Sequence, residues 1–378
     1  MAGIYFHIPF CKQACHYCNF HFSTNHKAVT PVLDAMAQEL VQRKKALKGP
    51  LESIYFGGGS PSLVPPEQLA VFLNLVAKHY SLSETVEVTL ELNPDDGTTS
   101  YLEELKRIGI NRLSVGVQSF QNDELQLMHR AHTTVESHKV LETVATLFDN
   151  FSMDLIYGMP NSTQSTWQQN IATALSYTPP HIAAYALTVE PKTSLAHWVK
   201  NKTVTELPEE AVQAQYNYLV EELQKVGYAN YEFSNFGKPG YYAVNNSNYW
   251  RGKPYLGIGP SAHSYDGNFL RSWNIAQNTK YVNAIQAGEL PLTTETLSTK
   301  DRFNEYIMTG LRTEWGVDTN YISSAFGPTY AAYLEQQVAP HLELQRLFWD
   351  GDTLRIPQKA RFLSDGIAAD LFLVELQP

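Results

Sequence analysis

A chain of 378 residues with 43% apolar content can bury a large core, and that length suggests two or three domains. The net charge of −10, from 28 basic and 38 acidic side chains, argues against a broad nucleic-acid surface, which needs clustered Lys and Arg, so no nucleic-acid partner is expected. No stretch approaches the ~20 apolar residues that span a bilayer, and the opening MAGIYFHIPF is too short for the apolar region of a signal peptide, so the expected location is cytoplasmic.

In chain order, β-rich runs at 3–8, 53–56, 86–92, 112–118, 152–157 and 181–187 alternate with helical patterns at about 30–47, 66–79, 100–108, 134–148 and 165–176. Such alternation predicts parallel βαβ units with right-handed crossovers, and six strands are too few to close an eight-stranded barrel. The expected fold class is therefore α/β, an open, TIM-like partial (β/α)6 barrel. The compact basic run Arg43, Lys44, Lys45, with Lys48 close behind, falls late in the first helical pattern and reads as a solvated helix terminus.

After about residue 190 the pattern changes to a helix near 208–226 and then to YANYEFSNFGKPGYYAVNNSNYW, read as an elaboration of the barrel rim. Near the end, LFWDGDTLRIP places Asp350–Gly351 between alternating apolar residues, the mark of a tight hairpin. Helices followed by a hairpin suggest a small winged-helix-like domain, and without a dense basic face its expected role is packing or a lid. The expected division is a core over 1–235, a rim elaboration or linker over 236–298 and the C-terminal unit over 299–378.

Residues suited to chemistry gather at the C-terminal ends of the predicted strands, where such folds build their sites. All three cysteines, Cys11, Cys15 and Cys18, lie in HIPFCKQACHYCNF after the first strand. An odd, tight cluster makes a poor disulfide framework and suits a metal or redox role, since thiolates select zinc, copper(I) or iron–sulfur clusters. A [4Fe–4S] cluster usually takes four cysteines. Here one iron is left for His7, His16, water or a small molecule. A structural Cys3His zinc site using His16 or His7 is the competing reading, although structural zinc commonly uses two separated ligand pairs. Gly57–Gly58–Gly59–Ser60 follows the second strand, Glu91 and Asn93 end the third, and Gln118 ends the fourth. The glycines would let backbone approach a ligand with free N–H groups.

The C-x3-C-x2-C spacing, with Tyr17 just before the last cysteine, resembles the signature of radical S-adenosylmethionine (SAM) enzymes. The resemblance implies a [4Fe–4S] cluster whose open iron is chelated by SAM. It narrows over nearly the whole chain, because YFHIPFCKQACHYCNF, YFGGGSPS, LELNPD, RLSVGVQSF, MDLIYGMP and RFNEYIMTGLRTEWGVD are similar to the oxygen-independent coproporphyrinogen oxidase group. By motif matching, Tyr5, Tyr17, Gly58, Gly59, Ser60, Glu91, Gln118, Arg130 and Asp154 correspond to SAM-contacting positions. Arg130 can pair with a carboxylate, Glu91 can accept from the amino group, and Asp154 can bond ribose hydroxyls.

That group holds an oxidase branch, HemN, and a haem-chaperone branch, HemW. Phe20 stands where the oxidase branch carries an extra cysteine, and only ten residues precede Cys11, so the resemblance is stronger to the chaperone branch. It implies haem as a ligand and haemoproteins, membrane haemoproteins among them, as acceptors. The chaperone branch's H-N-x-x-Y-W motif aligns with Asn245–Trp250, so Asn246, Tyr249 and Trp250 are the candidate haem residues while Asn245 replaces the histidine. An amide is a poor haem ligand, which makes His263 the nearest substitute. An oxygen-independent coproporphyrinogen III dehydrogenase is the alternative activity, and a homodimer is left open.

Overall fold

A computed structural model of the chain describes residues 2–374; residue 1 and residues 375–378, the end of the expected C-terminal unit, lie outside it. The six expected strands are present as β1 (Ala2–Ile8), β2 (Leu51–Gly58), β3 (Leu82–Leu92), β4 (Arg112–Gln118), β5 (Phe151–Tyr157) and β6 (His181–Ala186). Each pairs in parallel with the next. Between them run α1 (Val29–Gln42), α2 (Pro66–His79), α3 (Thr99–Ile108), α4 (Asn122–Leu127), α5 (Thr134–Leu147) and α6 (Gln164–Ser176). Local chemistry sets several of these boundaries. Thr98 caps α3 and Gly109 ends it in a left-handed conformation, while Thr133 and Glu136 form a reciprocal capping box at the start of α5.

The strands largely alternate, with an apolar side facing outward onto the helices, although Ile156 and Ala183 also face the interior. Ile4, Phe6 and Ile8 of β1, Val88, Leu90 and Leu92 of β3, and Leu113, Val115 and Val117 of β4 belong to the main core. The intervening positions, among them Glu91, Arg112, Ser114 and Asp154, line the barrel interior. A parallel sheet covered on both faces ordinarily reads as continuous apolar runs. Alternation here means that the inner face meets polar contents.

The sheet is wider than the six strands expected. After α7 (Ser194–Lys200) and α8 (Glu209–Lys225), the hairpin of β7 (Ala229–Glu232) and β8 (Asn235–Gly237) joins the sheet, β8 pairing antiparallel with β6 and β7 antiparallel with β8 at the edge. Past α9 (Val244–Trp250), β9 (Tyr255–Ile258) pairs in parallel with β1, and β10 (His263–Tyr265), β11 (Leu270–Asn274) and β12 (Leu292–Thr296) continue the sheet antiparallel, with α10 (Asn278–Gln286) between the last two. The segment 236–298, expected as a rim elaboration, thus supplies four strands of a twelve-stranded sheet. These strands have three to five residues each, too short for their periodicity to stand out.

A buried polar cluster fastens this extension to the barrel. Glu39 of α1, with 0% exposure, pairs with Arg43 at 2.9 Å and accepts from Gly259 N at 2.9 Å, the Tyr281 hydroxyl at 2.7 Å and Asn274 Nδ2 at 2.8 Å. Arg43 in turn donates to Gly257 O and Ser264 Oγ. The solvated helix terminus expected at Arg43 is therefore corrected: β9 and β10 cover its guanidinium, while Lys44, Lys45 and Lys48 are exposed as expected.

The C-terminal unit runs α11 (Thr299–Leu311), β13 (Val317–Asp318), α12 (Thr319–Ala325), α13 (Pro328–Glu343), β14 (Phe348–Asp350), β15 (Thr353–Arg355) and α14 (Ser364–Asp370). Its small sheet has the order β13-β15-β14, the topology of a winged helix, with Gly351 at positive φ in the expected hairpin turn. Phe303, Ile307, Leu334 and Leu354 form a separate core. Glu314 N, donating to Tyr231 O at 2.8 Å, joins the unit to β7. Among the described residues no helix is long and apolar enough to cross a membrane.

Removing one partner of a buried ion pair leaves an uncompensated charge and costs about 3–5 kcal/mol. Glu39→Ala is expected to destabilise the fold by that amount in urea unfolding followed by circular dichroism, whereas Lys44→Ala should change little.

Candidate functional site

The loop that follows β1 is held in place from several sides. Cys11 N donates to Ser23 O at 3.1 Å, Ser23 N to Pro9 O at 2.9 Å, and His16 N to Met128 O at 3.1 Å. Lys12 pairs with Asp95 at 2.6 Å, and Tyr17 packs against Leu125, Met128 and Met159. Cys11, Cys15 and Cys18 are consequently half-buried on a loop whose backbone is already ordered. Burial pushes the Cys11 thiol up to about 11 and raises Cys18 as well, with the other thiols adding to the effect. Three neighbouring thiolates therefore need cationic metal to be stable.

The fourth-ligand candidates from the chain point elsewhere. Both ring nitrogens of His7 are engaged, Nδ1 with the Tyr5 hydroxyl at 3.1 Å and Nε2 with His21 O at 2.9 Å, and burial lowers its pKa to about 4. His16 bonds Leu127 O and stacks on His129 at 4.6 Å. Among the described residues no three His, Cys, Asp or Glu side chains are grouped so as to hold a single metal ion.

The cysteine loop opens onto a cavity of about 460 Å³ inside the barrel. Tyr17, Gly59, Ser60, Glu91, Gln118, Arg130 and Asp154, predicted from separate loops, all line it. A polar chain runs along its wall: the Ser60 hydroxyl bonds the Cys11 thiol and accepts from Asn93 Nδ2 at 2.7 Å, and Asn93 Oδ1 accepts from Arg130 Nη2 at 2.7 Å. Arg130 Nη1 reaches Cys15 Sγ at 3.6 Å and the Tyr17 hydroxyl at 3.4 Å. Arg130 Nε is buried without an acceptor. Gln118 holds a φ of 66°, left-handed for a residue with a side chain, which costs about 1–3 kcal/mol and is characteristic of functional sites.

Two carboxylates face the cavity. Burial pushes Glu91 up to about 7, although it accepts from the Tyr55 hydroxyl and Gly58 N, each at 3.0 Å. Burial also raises Asp154, which accepts from the Ser114 and Ser152 hydroxyls. Burial raises the proton affinity of both carboxylates, so a cationic ligand beside them would restore their charged form, and the orphaned Arg130 Nε suits an anionic group on it. The residues therefore fit SAM, which carries an ammonium, a sulfonium, a carboxylate and ribose hydroxyls.

Two expectations change in detail. The N–H groups of the glycine turn are not free for a ligand: Gly58 N donates to Glu91, Gly59 N to Ile8 O at 2.9 Å and Ser60 N to Phe10 O at 2.7 Å. The glycines are required by packing, since a Cβ at Gly59 would lie 2.6 Å from Phe10 O and one at Gly58, where φ is 109°, 2.6 Å from the His7 ring. Gly58 and Tyr5 do not line the cavity; Tyr5 lies deeper, against His7 and Tyr55. Conversely Arg112, Ser114, Ser152, His181 and Tyr185 do line it, at alternate strand positions whose polarity was the signal available.

A second cavity, of about 870 Å³, lies between α9 and the C-terminal unit and shares Tyr185, Asn235 and Asn246 with the first. Asn246, Tyr249 and Trp250 line it. Asn245 does not: it is buried and accepts from the Ser53 hydroxyl at 3.2 Å. The α9 N-terminus is seated on Glu87, which accepts from Val244 N at 3.1 Å and Asn245 N at 3.2 Å. His263 lies outside both cavities, exposed and stacked on Trp273 at 5.6 Å.

Comparison with known proteins agrees with this geometry. Residues 5–174 match the radical SAM superfamily model, and residues 297–363 match the HemN C-terminal domain. The chain is 32% identical to heme chaperone HemW of Bacillus subtilis, over 86% of this chain and 87% of that one. It is 30% identical to the HemW of Lactococcus lactis over 98% and 97%. Coproporphyrinogen III oxidase HemN of Escherichia coli superposes with a TM-score of 0.85 over 98% of this chain and 90% of that one at 21% identity, a likeness of fold.

Because the folded state raises Glu91 to about 7 from an ordinary 4.5, its protonated form is the stabilising one. That contribution is complete below about 4.5 and lost as pH rises through about 7. Thermal unfolding of cluster-free protein should show a stability decline over this window, and Glu91→Gln should flatten it.

Proposed function

We propose, from the premise that this chain belongs to the HemW family of radical SAM proteins, that it binds a [4Fe–4S] cluster and SAM, takes up haem, and passes it to acceptor haemoproteins. The observation that carries the cofactor part is the convergence of Cys18 with Glu91, Arg130 and Asp154 on one cavity, with Cys15 against the Arg130 guanidinium and Cys11 bonded to Ser60 of its wall. In this reading the three thiolates hold three irons. Arg130 receives the SAM carboxylate, Glu91 faces its amino group, and Asp154 takes ribose hydroxyls. When bound, the reduced cluster and SAM supply one-electron cleavage of a C–S bond. The chain's part is to orient SAM, to keep Cys15 and Tyr17 against the Arg130 guanidinium, and to exclude bulk water.

Haem belongs, in this reading, to the outer cavity, where Asn246, Tyr249 and Trp250 meet. The place of work is the cytoplasm, and the acceptors include membrane haemoproteins. The alternative, a coproporphyrinogen III dehydrogenase, is favoured by the shared wall of the two cavities, which would bring a tetrapyrrole beside SAM. Phe20, 68% exposed at the cavity mouth where that branch has a cysteine, speaks against it.

Cys15→Ser leaves two thiolates and should lose most of its iron after anaerobic reconstitution, as read by iron analysis and by bleaching with dithionite; unchanged iron contradicts the cluster assignment. Haem titration of the reconstituted protein should produce a Soret shift, and anaerobic turnover of coproporphyrinogen III should yield no vinyl product. Turnover without haem uptake would reverse the order of the two readings.

A further inference from the structure

Four arginines line the outer cavity, and two of them are already neutralised. Arg271 donates to Glu305 at 2.7 Å, and Arg312 is bonded to Asp365. Arg251 and Arg302 differ. Neither guanidinium forms a hydrogen bond or ion pair with any of the described residues. Each lies on an aromatic face instead, Arg251 at 4.1 Å from the Trp315 ring centre and Arg302 at 4.3 Å from that of Phe269. Stacking fixes the plane of a guanidinium and leaves its in-plane N–H fork open to a planar acceptor such as a carboxylate.

The rest of the wall suits the body of such a ligand. Tyr249, Trp250, Tyr255 and Phe326 supply apolar rings. The acids present are engaged within the chain: Glu305 by Arg271, Asp318 by Asn320 N at 2.8 Å, and Glu232 by Ser234 N at 3.2 Å. Arg251 follows α9, whereas Arg302 belongs to α11 of the C-terminal unit. A ligand engaging both would tie these two parts together.

We propose that Arg251 and Arg302 form a paired anchor for the carboxylates of a planar aromatic ligand with at least two free acid groups, the propionates of a tetrapyrrole. The identification of that ligand as haem rests on the reading above; the anchor itself needs carboxylates and no iron.

The test uses the full-length chain, titrated with haem, with iron-free protoporphyrin and with haem dimethyl ester, whose acids are blocked, following tryptophan fluorescence and Soret absorbance. Arg251→Gln and Arg302→Gln should each weaken the two free acids about ten-fold, and the double variant about a hundred-fold, as expected for loss of one and two charge-assisted bonds. The ester should bind wild type weakly and all variants equally, which also reports that the cavity is intact. Should the double variant fail to fold, the single variants carry the comparison. Unchanged binding of the free acids by the variants, or equal loss of ester, overturns the anchor. Protoporphyrin binding without haem binding upholds the anchor and overturns the haem reading. Haem bound equally by wild type and double variant does the reverse, and wild type that binds neither free acid overturns both.

Discussion

The site depends on β1 and β2 remaining hydrogen-bonded beyond the ends of their strands. Ile8 O and Phe10 O accept from Gly59 N and Ser60 N, so the first turn of the cysteine loop lies flat against the glycine turn. Only residues without a Cβ permit that approach, because the neighbouring atoms at Gly58 and Gly59 are an imidazole and a main-chain carbonyl. Ser60 then stands beside Cys11, and the chain of contacts through Asn93 to Arg130 carries the register to Cys15 and Tyr17. Loops from four different strands share one geometry because the first pair is stitched closed.

Electrostatics follow from the inverted interior. Helices cover the apolar outer side of the sheet, so the lumen is free to hold charge. Glu91 and Asp154 sit there with elevated affinity for protons, and Arg130 with an unmet donor, which stores unfavourable desolvation that a complementary ligand relieves. The same principle operates in the outer cavity on a different scale. There the cations rest on aromatic rings, and the acids are satisfied by the chain.

The helix α9 links the two spaces. Glu87 holds its first N–H groups from inside the barrel, Asn245 turns back to Ser53, and Asn246 faces both cavities. Asn245 is therefore taken up by a buried contact with β2, and the side chains of the helix that meet the outer cavity are those of Asn246, Tyr249 and Trp250. His263, attractive by proximity in sequence, is carried away by the β10–β11 hairpin.

Strand and helix order, the cysteine loop and its glycine-turn neighbour, and the C-terminal hairpin were legible in the chain because each is encoded locally, by period, spacing or turn chemistry. The polar members of β4, Arg112 and Ser114, carried an equally local signal through their alternation with Leu113 and Val115, and it marks the lumen. Other features were set only by tertiary contact. Arg43 looks like a surface cation until β9 and β10 close over it, and strands as short as Tyr255–Ile258 exist because β1 offers an unpaired edge. Likewise nothing local distinguishes Arg251 from any exposed arginine; its ring partner, Trp315, lies in another part of the chain. Local pattern determines which elements form, and long-range packing determines which charges they bury or leave open, since burial is a property of neighbours distant in sequence.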